Sequence, residues 1–340
     1  MSASFRSFVV TRILLTIPMI LILVTMVFFV MRVLPGDPIR SQLGPKVSAE
    51  QAAAISARLG LDRPLHIQYF DFLWRMIRLD FGNALTQGER PIREELGERL
   101  PATIELTVPA MALTSVLGVY AGAFAAKNRK KPVDYAIRMF SVIVYAIPVF
   151  FMGLMAQILF AVRLPILPLA GRMDALLLRD FTSITNFYVF DAIIQGNWPA
   201  LKSLLLHLVM PSVTLGLILA GPFVRLARVN MIETLQTDYI TAGRARGIPE
   251  RRLVYKHTLR NTFIPILTLI GLQFALLLAG AVLTETTFSW PGMGRYLVKR
   301  IELRDYNAVQ SVIAVFALFV GAISVLTDIL YAFVDPRIRY

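Results

Sequence analysis

The sequence predicts an all-α membrane protein with six transmembrane helices and both termini in the cytoplasm. Hydrophobic residues make up 56% of its 340 positions and charged residues only 17%, whereas soluble proteins carry about 25% charged residues. Six segments without Asp, Glu, Lys or Arg are long enough to cross a hydrocarbon core of about 30 Å as helices. These segments are Ile13–Met31, Leu106–Ala126, Met139–Val162, Ser203–Val224, Asn261–Thr284 and Tyr306–Thr327.

The segments divide the chain into three predicted regions. Residues 1–34 hold the first helix, residues 35–96 form an extracytoplasmic segment with a short helix, and residues 97–334 form the core domain. The short helix is predicted for Ser48–Gly60, because Ser48 is a suitable N-cap and Gly60 a suitable C-terminal stop. Within the core domain we expect helices over 103–126, 137–162, 204–226, 262–284 and 307–334.

The first apolar segment is interpreted as a signal anchor that is retained in the protein. It is longer than the apolar region of about 7–15 residues that is usual in a cleaved signal peptide. The residues that follow it, RVLPGDP, contain no cleavage site of the small-x-small kind.

The orientation follows from the distribution of lysine and arginine among the short loops. The Lys127–Ala136 loop and the Arg225–Arg260 loop are both strongly basic, and the sequence ends in DPRIRY. All three lie on the same side as Arg6 and Arg12 if the chain crosses the membrane six times. Because cytoplasmic loops carry the excess of positive charge, that side is predicted to be the cytoplasm.

The motifs of common enzyme classes are absent from the sequence. It contains no cysteine, which excludes disulfides and thiol chemistry. A nucleotide-binding P-loop, the HExxH motif of zinc proteases and the GxSxG motif of hydrolases are also absent. The three histidines, His66, His207 and His257, are far apart in the sequence. We therefore expect no catalytic residue, no metal site and no cofactor in this chain.

Proline recurs within or beside the predicted helices, and each proline can kink a helix by removing a backbone hydrogen bond. In a membrane such kinks occur where the backbone is packed against protein or lines a cavity. The pattern favours a protein that moves a solute over a simple membrane anchor. The prolines are Pro18, Pro109, Pro148, Pro211, Pro222 and Pro265.

Two glycines at the spacing G-x-x-x-G, Gly118 and Gly122, lie inside the second predicted transmembrane helix. Small residues four positions apart allow two membrane helices to approach closely. Either packing within the chain or a subunit interface would explain them, and we favour packing because the motif is common in membrane helices.

Two acidic residues lie close to the ends of transmembrane helices. Glu105 is near the outer end of helix two, and Asp328 is near the inner end of helix six. An acid inside a membrane is a functional candidate by default. Neither residue is near the midplane, however, so we expect each to reach an interface or to pair with an arginine rather than to serve a proton relay.

The segment Thr237–Asn261 is basic and lies between two apolar segments. Its pattern predicts a helix that ends at Gly247, a tight Gly-Ile-Pro turn, and a second helix that starts at Pro249. Attraction to anionic lipid would explain the charge of the segment. A simple connection would be much shorter, however, so two capped helices favour a surface for a protein partner. Nucleic acid is disfavoured, because few aromatic residues alternate with the basic ones.

Six motifs, spread over nearly the whole chain, resemble one known family. They are LPGDP (34–38), LGLDRPL (59–65), ERLPATIELT (98–107), DYITAGRARG (238–247), FSWPGMGR (288–295) and DPRIRY (335–340). With these motifs in this order, the chain is identified as a member of the permease subunits of ATP-binding-cassette importers with the type I transmembrane fold. It is most similar to the peptide and nickel branch, and within it to the first permease subunit of dipeptide importers.

The resemblance implies that the loop before helix five carries a coupling helix, which docks on a cytoplasmic ATPase. Thr241-Ala242-Gly243 stands where the family has Glu-Ala-Ala, and the segment 257–260 stands where it has Ile-x-Leu-Pro. A role of the family's glutamate therefore does not carry over. The implied ATPase-coupling residues are Asp238, Tyr239, Thr241, Ala242, Gly243, Ala245, Gly247 and Pro249.

The resemblance also implies the function and the partners. The chain would form half of the pathway of an ATP-driven importer in a prokaryotic cytoplasmic membrane and would work by alternating access. Its partners would be a second permease subunit, two ATPases that bind ATP and Mg, an extracytoplasmic solute-binding protein and membrane lipid. The implied substrate is a di- or oligopeptide, with nickel, an oligosaccharide or another small solute as alternatives, and a stand-alone secondary transporter is a more distant one.

Overall fold

The computed structural model describes residues 3–33, 62–84 and 90–334, together with the single positions 50, 56, 57 and 60. The short helix predicted for Ser48–Gly60 lies largely outside these residues, as do the motifs at 34–38 and 335–340. The helices, in chain order, are α1 (Ala3–Val33), α2 (Leu65–Ile77), α3 (Ile92–Lys127), α4 (Pro132–Ala146), α5 (Val149–Ala156), α6 (Ala175–Asp180), α7 (Tyr188–Ile194), α8 (Trp198–Leu235), α9 (Asp238–Ala245), α10 (Leu259–Thr287), α11 (Met293–Glu302) and α12 (Tyr306–Val334).

Two stretches of π-helix extend this helical framework. Gln157–Arg163 continues α5, and Leu253–Thr258 joins a single turn at Glu250–Arg252 to the start of α10. Over the described residues the fold is all-helical, apart from one isolated β-bridge between Asn83 and Pro91.

Four helices are individually long and apolar enough to cross a membrane: α1, α3, α8 and α12. Two further candidate spans are bent. The pair α4 and α5, with its π-helical extension, turns by 100°, and α10 bends by 45° between Leu278 and Ala281. Among the described residues there are thus four candidate spans, or six if each bent pair crosses the membrane once.

The prediction of one continuous helix over 137–162 is wrong, because the helix breaks at Ile147 and Pro148. Ile147 is extended, with φ −76° and ψ 129°. A residue before proline is driven out of the helical region by the proline ring. Pro148 also lacks the N–H that would continue the helical hydrogen bonding, so the chain turns here and restarts at Val149.

The predicted helices near 103–126 and 204–226 are longer at both ends in the structure. The helix α3 begins at Ile92 and α8 runs from Trp198 to Leu235. Runs without charge mark only the part of a helix that suits hydrocarbon, whereas these helices continue through charged turns beyond it. The remaining two differ less, with α10 at Leu259–Thr287 and α12 at Tyr306–Val334.

The central packing contact is the crossing of α3 and α8, where glycines allow the backbones to meet. A Cβ atom on Gly122 would lie 2.7 Å from both the Val224 carbonyl oxygen and the Ala227 Cβ, and one on Gly118 would overlap the side chain of Phe223. From the other helix, a Cβ on Gly216 would lie 2.9 Å from the Ala110 carbonyl oxygen. The structure thus places both glycines of the G-x-x-x-G motif against a helix of the same chain.

We expect Gly122→Ala to destabilise the protein, because no space exists for the added methyl group. Overpacking of this kind costs about 1–3 kcal/mol. Gly97→Ala is the matched control, since Gly97 also lies in α3 but a Cβ there meets nothing within 4 Å. Thermal unfolding of the purified protein should show a lower midpoint for Gly122→Ala and an equal or higher one for Gly97→Ala. Equal midpoints for Gly122→Ala and the native chain would refute the tight crossing.

The first helix lies against the last one at the periphery of the bundle. A Cβ on Gly321 of α12 would lie 2.8 Å from Thr16 of α1, so these helices also approach closely. Arg12 of α1 forms an ion pair with Asp328 of α12, with 3.5 Å between Nε and Oδ2. This contact confirms the expectation that Asp328 pairs with an arginine of a neighbouring helix.

Glu105 is also paired, although its partner comes from a loop. Arg172 donates to Glu105 Oε2 through Nη2 and Nε at 2.6 and 3.0 Å, and its guanidinium lies over the ring of Tyr188. The other oxygen of Glu105 accepts the backbone N–H of Val189 at 2.8 Å. The pair therefore fastens the segment between α5 and α8 to α3, as expected for a structural acid.

Candidate functional site: the helix, turn and helix after α8

The candidate site begins where α8 ends and the chain reverses into α9. The helix α8 ends at Leu235, and Thr237 is extended, with φ −76° and ψ 155°, before α9 starts at Asp238. The Thr237 hydroxyl donates to the Thr234 carbonyl at 2.6 Å rather than capping α9. This reversal places α9 at the end of the bundle, beyond the apolar part of α8.

The end of α9 is a hydrogen-bonded turn that depends on Gly247. The N–H of Gly247 donates to the Arg244 carbonyl at 2.9 Å, and the N–H of Ile248 donates to the Gly243 carbonyl at 3.1 Å. This pair of bonds defines a Schellman motif, in which the residue after the cap adopts a left-handed conformation. Gly247 has a φ of +75°, a conformation that glycine adopts without a steric penalty. The helix end predicted at Gly247 is therefore confirmed.

The second helix starts directly after Pro249, also as predicted. Pro249 has the φ of −57° and ψ of 137° of a residue that precedes a helix, and the N–H groups of Arg252 and Leu253 donate to its carbonyl. From Glu250 the backbone stays helical through the π-helical Leu253–Thr258 and into α10. The second helix of the site is therefore continuous with α10.

The inner face of α9 is small and fully buried. Ile240 is 0% exposed, and Gly243 lies so close to Leu253 that a Cβ would be 2.9 Å from its methyl group. The neighbouring apolar cluster joins Met231 of α8 and Val254 of the π-helical stretch to the end of α3. The contacts of α9 itself hold it against α8 and the π-helical Leu253–Thr258.

The outer face of α9 is exposed to solvent. Seven of the eight predicted coupling residues lie on the exposed surface of the helix and its turn, and only Gly243 points inward. This surface, which we call the docking face, consists of Asp238, Tyr239, Thr241, Ala242, Ala245, Gly247 and Pro249. A short helix with one face buried against the bundle and the other exposed to solvent is suited to contact a protein partner.

An ion pair that the sequence did not predict closes the turn. Arg244 at the end of α9 and Glu250 at the next helix start are joined by two hydrogen bonds, of 2.9 and 3.1 Å. The hydrogen bonds from Arg244 hold the pKa of the Glu250 carboxyl below its usual range. Both side chains are about half exposed, at 44% and 48%, so this pair fixes geometry more than it adds stability. The opposite charges of Arg244 and Glu250, on either side of the predicted turn, are the sequence feature that could have indicated this ion pair.

A second ion pair ties the base of the site to α4. Asp134, which is 1% exposed, accepts from Nε and Nη2 of Arg228 in α8 at 2.6 and 2.8 Å. The backbone N–H of Lys130 adds a third donor at 3.2 Å. The two partners are 94 positions apart in the chain, so no local pattern could have joined them. Arg228 lies two turns before the end of α8. The ion pair therefore links α4 to the last part of α8, directly before the chain reverses into α9.

The described part of the chain offers no metal centre at this site or elsewhere. No group of three or more His, Asp or Glu side chains there is close enough to hold a metal ion. The site is therefore suited to bind a protein and to transmit its movement. It consists of an exposed helix, a hydrogen-bonded turn and a helix that continues into α10.

Comparison with known proteins adds a family and several relatives. Residues 118–340 match the model of the binding-protein-dependent transport system inner membrane component, and residues 5–107 match the N-terminal model of the same transport systems. The chain is 38% identical to the "Dipeptide transport system permease protein DppB" of Alkalihalophilus pseudofirmus, over 98% of this chain and 99% of that protein.

Two further relatives have the same extent of similarity. The "Di/tripeptide transport system permease protein DppB" of Pseudomonas aeruginosa is 38% identical, over 98% of this chain and 99% of its own length. The "Glutathione transport system permease protein GsiC" of Salmonella typhi is 34% identical, over 98% and 99%. The similarity therefore covers the docking face, the spanning helices and both ends of the bundle.

Proposed function

Because the chain belongs to the family of binding-protein-dependent transport system inner membrane components, we propose that it is a permease subunit of an ATP-driven importer of di- or oligopeptides. The observation that carries the proposal is the docking face. It is exposed, fixed by the buried Ile240 and Gly243, and followed without interruption by a spanning helix. An ATPase that moves α9 would therefore move α10 directly.

The chain would cross a prokaryotic cytoplasmic membrane six times, with each bent pair forming one span and both termini inside. The position of the basic loops supports this orientation. Lys127, at the end of α3, lies 6.0 Å from the ring of Tyr255 next to the docking face. The Lys127–Ala136 loop and the docking face thus share one end of the bundle, and positive charge is typical of the cytoplasmic end.

The assembly would contain a second permease subunit, two cytoplasmic ATPases and an extracytoplasmic solute-binding protein. ATP and Mg would bind to the ATPases, and this chain would contribute half of the pathway and one docking face. Closure of the ATPases would draw the two docking faces together and open the pathway outward, and hydrolysis would reset it.

The proposed substrate class rests on the relatives. Two are named for dipeptide or di/tripeptide transport and one for glutathione, which is itself a tripeptide. A short peptide is therefore favoured over nickel or an oligosaccharide. A stand-alone secondary transporter is disfavoured, because the exposed α9 would then have no partner to contact.

Transport by the reconstituted complex tests this function. The chain is co-expressed with a second permease, two ATPases and a solute-binding protein from the same genome, purified, and placed in liposomes. We expect the ATPases to co-purify and a labelled dipeptide to accumulate only with ATP and the binding protein. Purification without any ATPase, with uptake by the chain alone, would contradict the proposal.

A further inference from the structure

A single buried carboxyl group joins three helices at the end of the bundle opposite the docking face. Glu285, near the end of α10, is 0% exposed. Its Oε1 accepts the hydroxyl of Thr103 in α3 at 2.6 Å, and its Oε2 accepts the backbone N–H of Arg295 in α11 at 2.9 Å. The position is close to the start of α11, where free N–H groups and the helix dipole favour a carboxylate.

The surrounding residues fit this carboxyl group closely. The Thr103 hydroxyl also accepts the backbone N–H of Met293 at 2.8 Å, so Glu285 is joined to α11 both directly and through Thr103. Glycines make room for it: a Cβ on Gly292 would overlap the carboxyl group, and one on Gly294 would lie 2.6 Å from the Val282 Cα. We call the cluster of Thr103, Glu285 and the first turn of α11 the α11 clamp. The carboxyl group fits there only because positions 292 and 294 are glycines without side chains.

The α11 clamp lies on the same helix that starts at the docking face. From Glu250 to Thr287 the backbone is helical throughout, including the π-helical stretch and the 45° bend after Leu278. At 1.5 Å per residue this stretch is about 55 Å long. One end therefore lies next to Gly247 and Pro249, and the other end holds Glu285.

The helix α11 is in turn fastened to the first turns of two spanning helices. Arg300 of α11 donates to Glu95 of α3 at 2.8 Å and to Asp305, just before α12, at 3.3 Å. Trp290, in the turn between α10 and α11, donates from its indole to the Ala102 carbonyl at 2.8 Å. A displacement of the end of α10 would consequently be passed to α3 and α12 through α11.

We propose that Glu285 is a positioning residue for transport: it makes α11 follow the end of α10, so that motion applied at the docking face reaches the opposite end of the pathway. The inference rests on the proposed function, which supplies the motion. It goes beyond that function by giving a specific role to Glu285 and Thr103, which lie at the end of the bundle opposite the docking face.

The test removes one hydroxyl group from the clamp and keeps its shape. Thr103→Val is nearly isosteric and removes both hydrogen bonds, whereas Thr103→Ser retains the hydroxyl. Glu285→Gln is the second variant, and Glu302→Gln, an exposed glutamate of α11, is its matched control. The full complex is reconstituted with each variant, and peptide uptake and ATP hydrolysis are measured on the same liposomes.

We expect Thr103→Val and Glu285→Gln to lower the number of peptides imported per ATP by about three- to tenfold, which lies within the roughly two- to thirtyfold change that mutations between coupled sites can cause. The amount of assembled complex should stay the same, and Thr103→Ser and Glu302→Gln should match the native chain. Spin labels provide a second measurement, because the chain has no native cysteine. The distance between Lys299→Cys in α11 and Lys202→Cys in α8 should change with ATP in the native background but not with Thr103→Val.

Three results would overturn the inference. Native stoichiometry for both Thr103→Val and Glu285→Gln would show that the clamp does not position α11 for transport. An ATP-dependent distance change that survives Thr103→Val would show the same. If the Thr103→Val complex failed to assemble, the clamp would be needed for assembly and would have a purely structural role. A failure of the proposed function itself is distinguishable, because the native chain would then co-purify with no ATPase.

Discussion

Gly247→Glu is expected to abolish ATP-dependent peptide uptake. Gly247 has a φ of +75°, and a Cβ at this position meets no atom within 4 Å. The cost is therefore conformational: a side chain in the left-handed region costs roughly 1–2 kcal/mol, which favours a different path for the turn. The glutamate would also place a charge in the docking face. Both effects would act on the proposed contact with an ATPase.

A matched pair of variants separates these two effects. Gly247→Asn tests the charge-free case, because asparagine tolerates the left-handed conformation better than other residues. We expect Gly247→Asn to retain most uptake, Gly247→Val to lose most of it through strain alone, and Gly247→Glu to lose all of it. Uptake and the amount of co-purified ATPase are measured for each. Normal uptake by Gly247→Glu would refute the role of this turn in coupling.

Arg300→Met is expected to have the largest effect on stability. The Arg300 side chain is 1% exposed, and its partners Glu95 and Asp305 are 4% and 0% exposed. Removing one partner of a buried ion pair costs about 3–5 kcal/mol, because the remaining charge is left without compensation. Here two carboxylates would lose their cation, and α11 would lose the ion pairs that join it to the starts of α3 and α12.

The matched control for this variant is the neighbouring Lys299→Met. Lys299 lies one position before Arg300 in α11 and its side chain is exposed, so the same substitution should change stability little. Thermal unfolding and the yield of folded complex should both fall for Arg300→Met alone. If the two variants unfold at the same temperature, the buried ion pair does not hold α11 in place.

The local structure of the docking face could be predicted from the sequence, because it depends on neighbouring residues. Gly247 followed by Pro249 is sufficient to end one helix and begin another. The outward position of residues such as Tyr239 and Ala242 then follows from helical periodicity. The sequence also predicted that Asp328 would reach an interface or pair with an arginine, although it could not name Arg12.

The contacts that join distant parts of the chain could not be predicted. Glu285 meets Thr103 across 182 positions and Arg300 meets Glu95 across 205, and the types of these residues alone do not indicate such pairs. Charge patterns also failed to detect the break at Pro148, since both sides of it are equally apolar. The proline was the signal of the break, because its effect on the backbone outweighs the continuity of the apolar segment.

The most direct test of the account is a cross-link from the docking face in a complex that transports. Ala242 is exposed on α9, and the chain has no native cysteine, so Ala242→Cys carries the only reactive thiol of this subunit. With a short thiol-directed photo-cross-linker, we expect Ala242→Cys to bond to an ATPase subunit, and Lys202→Cys in α8 to bond to none. If Ala242→Cys in a transporting complex cross-linked only to lipid or to the other permease, the proposal that the docking face contacts an ATPase would be contradicted.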